Sequence, residues 1–354
     1  MSEVVGVKGD VKKRSIKFIK LKEDTQKCFI KFIWRRNKMK KLECIIFDVE
    51  HGFCAFIKSP NDYGLLYDIG GRQCFSPAKY IRKEYCQSLV HYNKRRIPKL
   101  IVSHLHGDHF SDVGSLEGYE KPKTLLRDKE TLKFLESKIK TAKSGDIGVE
   151  TLRKFRKFQA SYTKDPEEAP DWGFDYFKSK QISYDNAEDA SSSDDKIINN
   201  RSYITVIRYA GKSILFPGDI EAEGWNKFLE NKTLKSHVSN INFFVASHHG
   251  HETGFTSDIL ESTGKPDLYI VSAKSGDEHV DSEYSKKENS NGFMVNGRDK
   301  LSKMISTREC NKSIKISIYE NGTTDVRFID TPDNLNQNQV KLRDRKTVRA
   351  IKKW

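Results

Sequence analysis

Four side chains within six positions pose the first chemical question of this chain. His104, His106, Asp108 and His109 follow directly on an apolar run in the stretch "LIVSHLHGDHF". Neutral imidazole and carboxylate together suit zinc, with manganese or iron as further choices. A strand end that merely turns into solvent needs no three histidines. If strand alternation persists through "SHLH", His104 and His106 point the same way, and the next turn swings Asp108 and His109 to a second point. That geometry predicts two clusters, one for each of two divalent ions.

Three further apolar runs finish in the same residue types. Asp219 follows "SILFPG", His248 and His249 follow "INFFVAS", and His279 follows "LYIVSAKSGDE". In layered α/β folds ligands gather at strand ends, where the scaffold is rigid and the loops are free to vary. The elements that must position these groups are legible as short apolar runs. "LECIIFDVEHG", "GLLYDIGG" and "KLIVSHLH" read as strands, and "RSYITVIRYAGKSILFPGDIE" and "SIKISIYENGTTDVRFI" as hairpins. Leu132, Leu135 and Ile139, then Leu152, Phe155 and Phe158, recur at helical spacing inside a helical insertion at about 120–180. Residues 185–196, "DNAEDASSSDDK", are acidic and serine-rich with no hydrophobic period, which predicts a mobile loop. Strands with helices interposed point to a layered α/β domain.

The chain has 354 residues and a net charge of +14. Residues 1–40 carry a balance of +9 and residues 331–354 a balance of +5, so the 290 residues between them are formally neutral. The basicity belongs to an N-terminal extension and a C-terminal tail. "KFIKLKEDTQKCFIKFIWRR" interleaves aromatic and basic residues, which fits either strands packed on the core or a nucleic-acid platform. The structural reading is the preferred one. A protein partner could also use these ends. Six cysteines without clip spacing read as reduced thiols, and no run has the length of a signal peptide or a membrane span. A cytoplasmic protein without membrane contact is the resulting expectation.

The pattern HxHxDH after a hydrophobic strand resembles the signature of the metallo-β-lactamase fold superfamily, over roughly residues 41–330. The resemblance implies a four-layer αββα sandwich and a metal-dependent hydrolase. Asp68 in "LLYDIGG" resembles that family's early structural aspartate, and Asp219 its metal-bridging carboxylate. No histidine stands between His109 and His237; "NNRS", with Asn199 and Asn200, takes that place. With "FDVEHG", "GDIE" and "SHHGH", this is similar to the branch of ComEC-type DNA-uptake proteins and of the choline-phosphate esterase. That likeness assigns a first ion to His104, His106, Asp219 and His249, and a second to Asp108, His109, Asp219 and His279. His279 is the loosest transfer, because Val280 follows it where the family has proline.

Two such ions would carry a bridging hydroxide that attacks phosphorus or a carbonyl carbon. His248 would donate a proton to the leaving group or hydrogen-bond the attacked oxygen, and Glu221 would hold a substrate group or support a ligand. Asn199 reads as a loop hydrogen-bonder, and His51, His91, His237 and His251 as ordinary histidines. The expected function is a phosphodiesterase or nuclease acting on DNA or RNA. The alternatives are a small-molecule hydrolase (lactone, thioester or phosphorylcholine-type ester) and a metal-containing, partner-dependent or non-catalytic module.

Overall fold

A computed structural model describes residues 39–141, 147–163, 169–274, 280–309 and 311–331. His279 and both basic ends, as residues 1–38 and 332–354, lie outside the described residues. The elements run β1 (Lys41–Ile46), β2 (Ala55–Lys58), β3 (Gly64–Tyr67), α1 (Pro77–Glu84), β4 (Lys99–Ile101), β5 (Thr124–Leu126), α2 (Leu132–Thr141) and α3 (Ile147–Ala160). Then follow β6 (Tyr176–Lys180), α4 (Tyr184–Asp189), α5 (Asp194–Asn200), β7 (Ile204–Tyr209), β8 (Lys212–Phe216), α6 (Ala222–Glu230) and α7 (Lys232–His237). The last are β9 (Phe243–Val245), α8 (Ser257–Thr263), β10 (Leu268–Val271), β11 (Met304–Ser306), β12 (Ser313–Tyr319) and β13 (Thr324–Ile329).

The strands form two sheets, β13-β12-β1-β2-β3-β4-β5 and β11-β10-β9-β8-β7-β6. Side chains alternate between sheet faces, so each buried strand feeds two apolar layers. In the first sheet Cys44, Ile46, Ile57, Leu65 and Tyr67 point inward to meet Ile207, Ile214, Phe216, Phe243, Val245 and Ile270 of the second. The intervening Ile45, Phe56, Leu66 and Leu100 point outward, where Ile81 of α1, Leu135 of α2 and Phe155 of α3 cover them. On the far side Val206, Leu215, Phe244 and Tyr269 are covered by Ala187 of α4, Ile197 of α5, Trp225 and Phe228 of α6 and Ile259 of α8. Three apolar layers between four layers of structure make the αββα sandwich that the resemblance implies.

Strand direction decides where chemistry can collect. β3, β4 and β5 run parallel, and so do β8, β9, β10 and β11. Asp68 follows β3, Ser103 and His104 follow β4, Asp219 follows β8, His248 and His249 follow β9, and Ser272 follows β10. Bonds between the sheets tie these ends together: Tyr67 donates its hydroxyl to Tyr203 O (2.7 Å), Tyr203 N donates to Ser103 O (2.9 Å), and Ser272 Oγ donates to Gly52 O (3.3 Å).

Two local expectations change. Residues 185–196 form most of α4 and the start of α5 instead of a mobile loop. Ser183 and Ser193 are N-caps whose hydroxyls accept from Asn186 N and Lys196 N, and Asp185, Asp194 and Asp195 occupy the first turns. Serine and aspartate there are helix-start residues: the hydroxyl satisfies an orphan N–H and the carboxylates complement the helix dipole. Strand β4 also ends at Ile101, so the alternation assumed through "SHLH" does not persist. Asp68 accepts from Ser103 N (2.6 Å) and Ser103 Oγ (2.7 Å) and draws the chain out of the sheet, and a 3₁₀ turn follows over Gly107–His109. The apolar run of β2 is an additional strand, paired in register with β1 (Cys44 opposite Ile57).

His237 is a satisfied core histidine. Its Nε2 donates to Ile204 O (3.1 Å), so its Nδ1 accepts from the Tyr176 hydroxyl (2.7 Å). Burial, aided by Lys180 and Arg208, pushes its pKa down to about 4. Between the ordinary pKa near 6.5 and this value, the unfolded chain binds a proton that the folded chain refuses, so stability falls as pH drops through that window. We expect a loss of about 3 kcal/mol at most from this group between pH 6.5 and 4. Denaturant titration across that range checks it: His237→Gln should flatten the acid limb, and parallel limbs for both proteins would refute the assignment.

Candidate metal centre

The innermost group of the site is Asp68, fully buried and in the left-handed backbone region (φ 57°). Its carboxylate accepts from Ser103 N and Ser103 Oγ and from His109 Nδ1 (2.8 Å). Because the Ser103 hydroxyl proton goes to Asp68, the Ser103 oxygen is left to accept from His104 Nδ1 (3.0 Å). His249 Nδ1 faces Ser272 O (3.2 Å), which can only accept. In its neutral form each of these three imidazoles thus carries its proton on Nδ1 and presents a bare Nε2 lone pair. Groups that orient a ligand's far nitrogen in this way fix its tautomer and its direction.

The Nε2 atoms converge on one carboxylate oxygen. Asp219 Oδ2 lies 3.2 Å from His249 Nε2, 3.3 Å from His109 Nε2 and 3.8 Å from His104 Nε2. His109 Nε2 and His249 Nε2 are 3.3 Å apart, and Asp108 Oδ2 stands 3.8 and 3.7 Å from them. His106 turns its Nδ1 toward His104 Nε2 at 3.2 Å, while its Nε2 faces Asp195 Oδ1 at 3.5 Å. The donor atoms fall into two groups, His104–His109–Asp219 and Asp108–His109–His249, each within 4.8 Å.

Such an array of lone pairs facing lone pairs is repulsive unless something positive stands among them. Protons answer the same demand: Asp219, Asp108 and Asp68 raise His109 well above the ordinary imidazole range against the effect of burial. His109, His249 and His104 likewise hold Asp219 well below the carboxylate range although it is buried. Burial and the neighbouring His109 keep His104 low, hence neutral and available as a ligand. Zinc–nitrogen and zinc–oxygen bonds of about 2.0–2.1 Å place tetrahedral ligand atoms about 3.3 Å apart, against separations of 3.2 to 3.8 Å here. The donor set, its tautomers and its spacing fit divalent ions.

The loops that deliver these groups are fixed by main-chain contacts. Gly52 (φ +95°) and Gly70 pack on the Asp108 carbonyl so closely that a Cβ would stand 2.3 and 2.2 Å from it. His248 and His249 occupy the left-handed region (φ 49° and 57°), a strain of roughly 1–2 kcal/mol each that brings His249 onto Asp219. The "NNRS" stretch secures the Asp219 turn: Ser202 Oγ accepts from Asp219 N (3.0 Å) and Asn200 Oδ1 from Glu221 N (2.9 Å). Asn199 donates to Glu221 Oε1 (3.0 Å), as a loop hydrogen-bonder. Glu221 is itself buried beside Lys196 (3.4 Å), within the supports of the Asp219 turn.

The expected residues are therefore brought together, except that His279 lies outside the described residues. The left-handed turn places His249 beside Asp108 and His109 as well as beside Asp219, the residue with which the resemblance groups it. His248 is half-buried next to His249, with Nδ1 against Thr253 Oγ1 (2.9 Å) and His251 Nδ1 on the same hydroxyl (3.1 Å). Burial lowers its pKa, against the charge of Asp219. His51 is exposed. Ser103, Ser272 and Asp195 carry orienting contacts that sequence reasoning passed over. Serine inside "VSHLH" was the available signal for the first. His106 and Lys138 hold the Asp195 carboxyl below its ordinary range.

The cavity that reaches Asp219 and His249 measures only about 10 Å³, with Phe53, Tyr67 and Phe216 in its walls. A larger cavity of about 500 Å³, lined by Arg208, Lys212, Asn242 and Asp267, opens at the opposite ends of β8, β9 and β10. It contains no convergent set of ligand atoms among the described residues. No helix among them is long and apolar enough to cross a membrane.

No protein-family model matches this sequence, and no curated protein matches it. Among solved structures, the chain is similar to a long form RNase Z from yeast, at 12% identity and a TM-score of 0.37. The alignment covers 88% of this chain and 45% of that one, so the chain spans less than half the length of that structure.

Proposed function

We propose that the chain is a metal-dependent hydrolase with a dinuclear centre, a phosphodiesterase or nuclease acting on DNA or RNA. The observation that carries this reading is the convergence of three Nε2 lone pairs, each forced by an Nδ1 hydrogen bond, on Asp219 Oδ2. His104, His106, Asp108, His109, Asp219 and His249 would hold the ions, and His279 is the sequence candidate to complete the second set. Divalent ions held there supply positive charge that activates water near neutral pH and offsets the charge building on a phosphoryl group. Zinc is the preferred ion on donor chemistry.

The chain's own residues supply the rest. Asp108 is 40% exposed at its side chain, so it faces both the centre and an incoming substrate. His248 moves a proton at the leaving oxygen, with Thr253 holding its ring. Glu221 and Asn199 stiffen the Asp219 turn. Anion attraction is available nearby. Helix α3 packs on the Gly107–His109 turn through Thr151 and on Gly114 through Lys154, and it exposes Arg153, Lys154, Arg156 and Lys157.

Purified protein loaded with Zn²⁺ or Mn²⁺ and assayed on single- and double-stranded DNA and RNA tests this. Cutting should require metal, stop with chelator, and fall on the order of 10³-fold in Asp108→Ala and Asp219→Ala. Cleavage of lactones or thioesters alone would move the protein to the small-molecule class. Bound metal with no hydrolysis of any substrate would make the centre structural.

The orienting bonds give a second expectation. Ser103→Ala deprives His104 Nδ1 of its acceptor while leaving the ligands in place, and should weaken metal binding roughly 10–100-fold. Competition with a chromophoric chelator measures this, and unchanged affinity would remove Ser103 from the centre.

A further inference from the structure

We propose that Asp195 is a positioning residue of the metal centre, holding His106 in the form that ligates through Nδ1, with Lys138 bracing it. The inference rests on the reading of the site as a metal centre. His106 differs from the other imidazoles in which nitrogen it offers. Its Nδ1 lies 3.2 Å from His104 Nε2, on the side of the ligand atoms, so with an ion held by both rings the proton of the neutral His106 ring sits on Nε2. The acceptor facing that nitrogen is Asp195 Oδ1, at 3.5 Å. His104, His109 and His249 are oriented by acceptors in the rims of the two sheets. His106 is oriented instead by a carboxylate on α5 whose side chain is 64% exposed.

Two elements determine where that carboxylate stands. Ser193 caps α5 and so fixes the first turn in which Asp195 lies. Lys138, from α2, donates to the same Asp195 Oδ1 at 2.5 Å. The chain Lys138–Asp195–His106 therefore connects two helices far apart in sequence to one ligand of the centre. Removing Asp195 frees the His106 ring to rotate and to take the other tautomer, and leaves the Asp68–Ser103 and Ser272 supports intact. The loss should fall on the ion bound by His104 and His106, and spare the one bound by Asp108, His109 and His249.

The test is zinc binding by the full chain, stripped with chelator and titrated against a competing chelator, with circular dichroism to follow the fold. The wild type should bind two ions. Asp195→Ala should bind one of them 10–100-fold more weakly and the other unchanged. Asp195→Asn, whose amide oxygen still accepts, should fall between, and Asp195→Glu should recover part of the loss. Lys138→Met should show a smaller loss than Asp195→Ala. Wild-type affinity for both ions in Asp195→Ala would overturn the proposal, as would equal loss of both ions accompanied by lost helicity. If the wild type bound no zinc, the metal reading itself would fail, a result distinct from either.

Discussion

A buried carboxylate with three hydrogen bonds governs this protein. Asp68 lies fully out of solvent, where an uncompensated charge would cost several kcal/mol. Ser103 N, Ser103 Oγ and His109 Nδ1 compensate it. Satisfying Asp68 bends the chain away from β4, orients His109 directly and orients His104 through the Ser103 hydroxyl. One desolvated anion thereby sets the proton positions of two imidazoles. The orientations of His104 and His109 are the consequence of that requirement, while His249 takes its own from Ser272 O.

The sandwich makes the requirement possible. Parallel strands in each sheet put the ends of β3 and β4 opposite the ends of β8, β9 and β10, and apolar layers on both faces of each sheet prevent those ends from drifting. At the same rim Asp68, His248 and His249 take the left-handed backbone conformation. Such conformations persist only where surrounding contacts over-determine them. The "NNRS" stretch supplies contacts of that kind, with Ser202 and Asn200 bonded to the backbone of the Asp219 turn.

Much of this was legible in one dimension. The buried strands announce themselves as short apolar runs because both faces of each sheet are covered, and the ligand types stand at their ends. Residues 185–196 misled because serine and aspartate serve equally in loops and at helix starts, and only the packing of Ala187 and Ile197 on the second sheet decides between them. His237 resembled the other histidines in type but is consumed by Tyr176 and Ile204. Burial makes that distinction, and no local pattern encodes it.

By itself, the sequence determined the layered α/β class, the strand ends that carry chemistry, and the donor types His104, His106, Asp108, His109, Asp219 and His249. Those follow from hydrophobic periodicity and from the chemistry of imidazole and carboxylate. The tertiary structure alone decided which nitrogen His104, His109 and His249 turn toward Asp219, that His249 stands beside Asp108 and His109, and that Ser103 and Asp195 contact these imidazoles. A tautomer is set by the acceptor on the far side of the ring, and that acceptor comes from a segment whose distance in sequence says nothing of its distance in space.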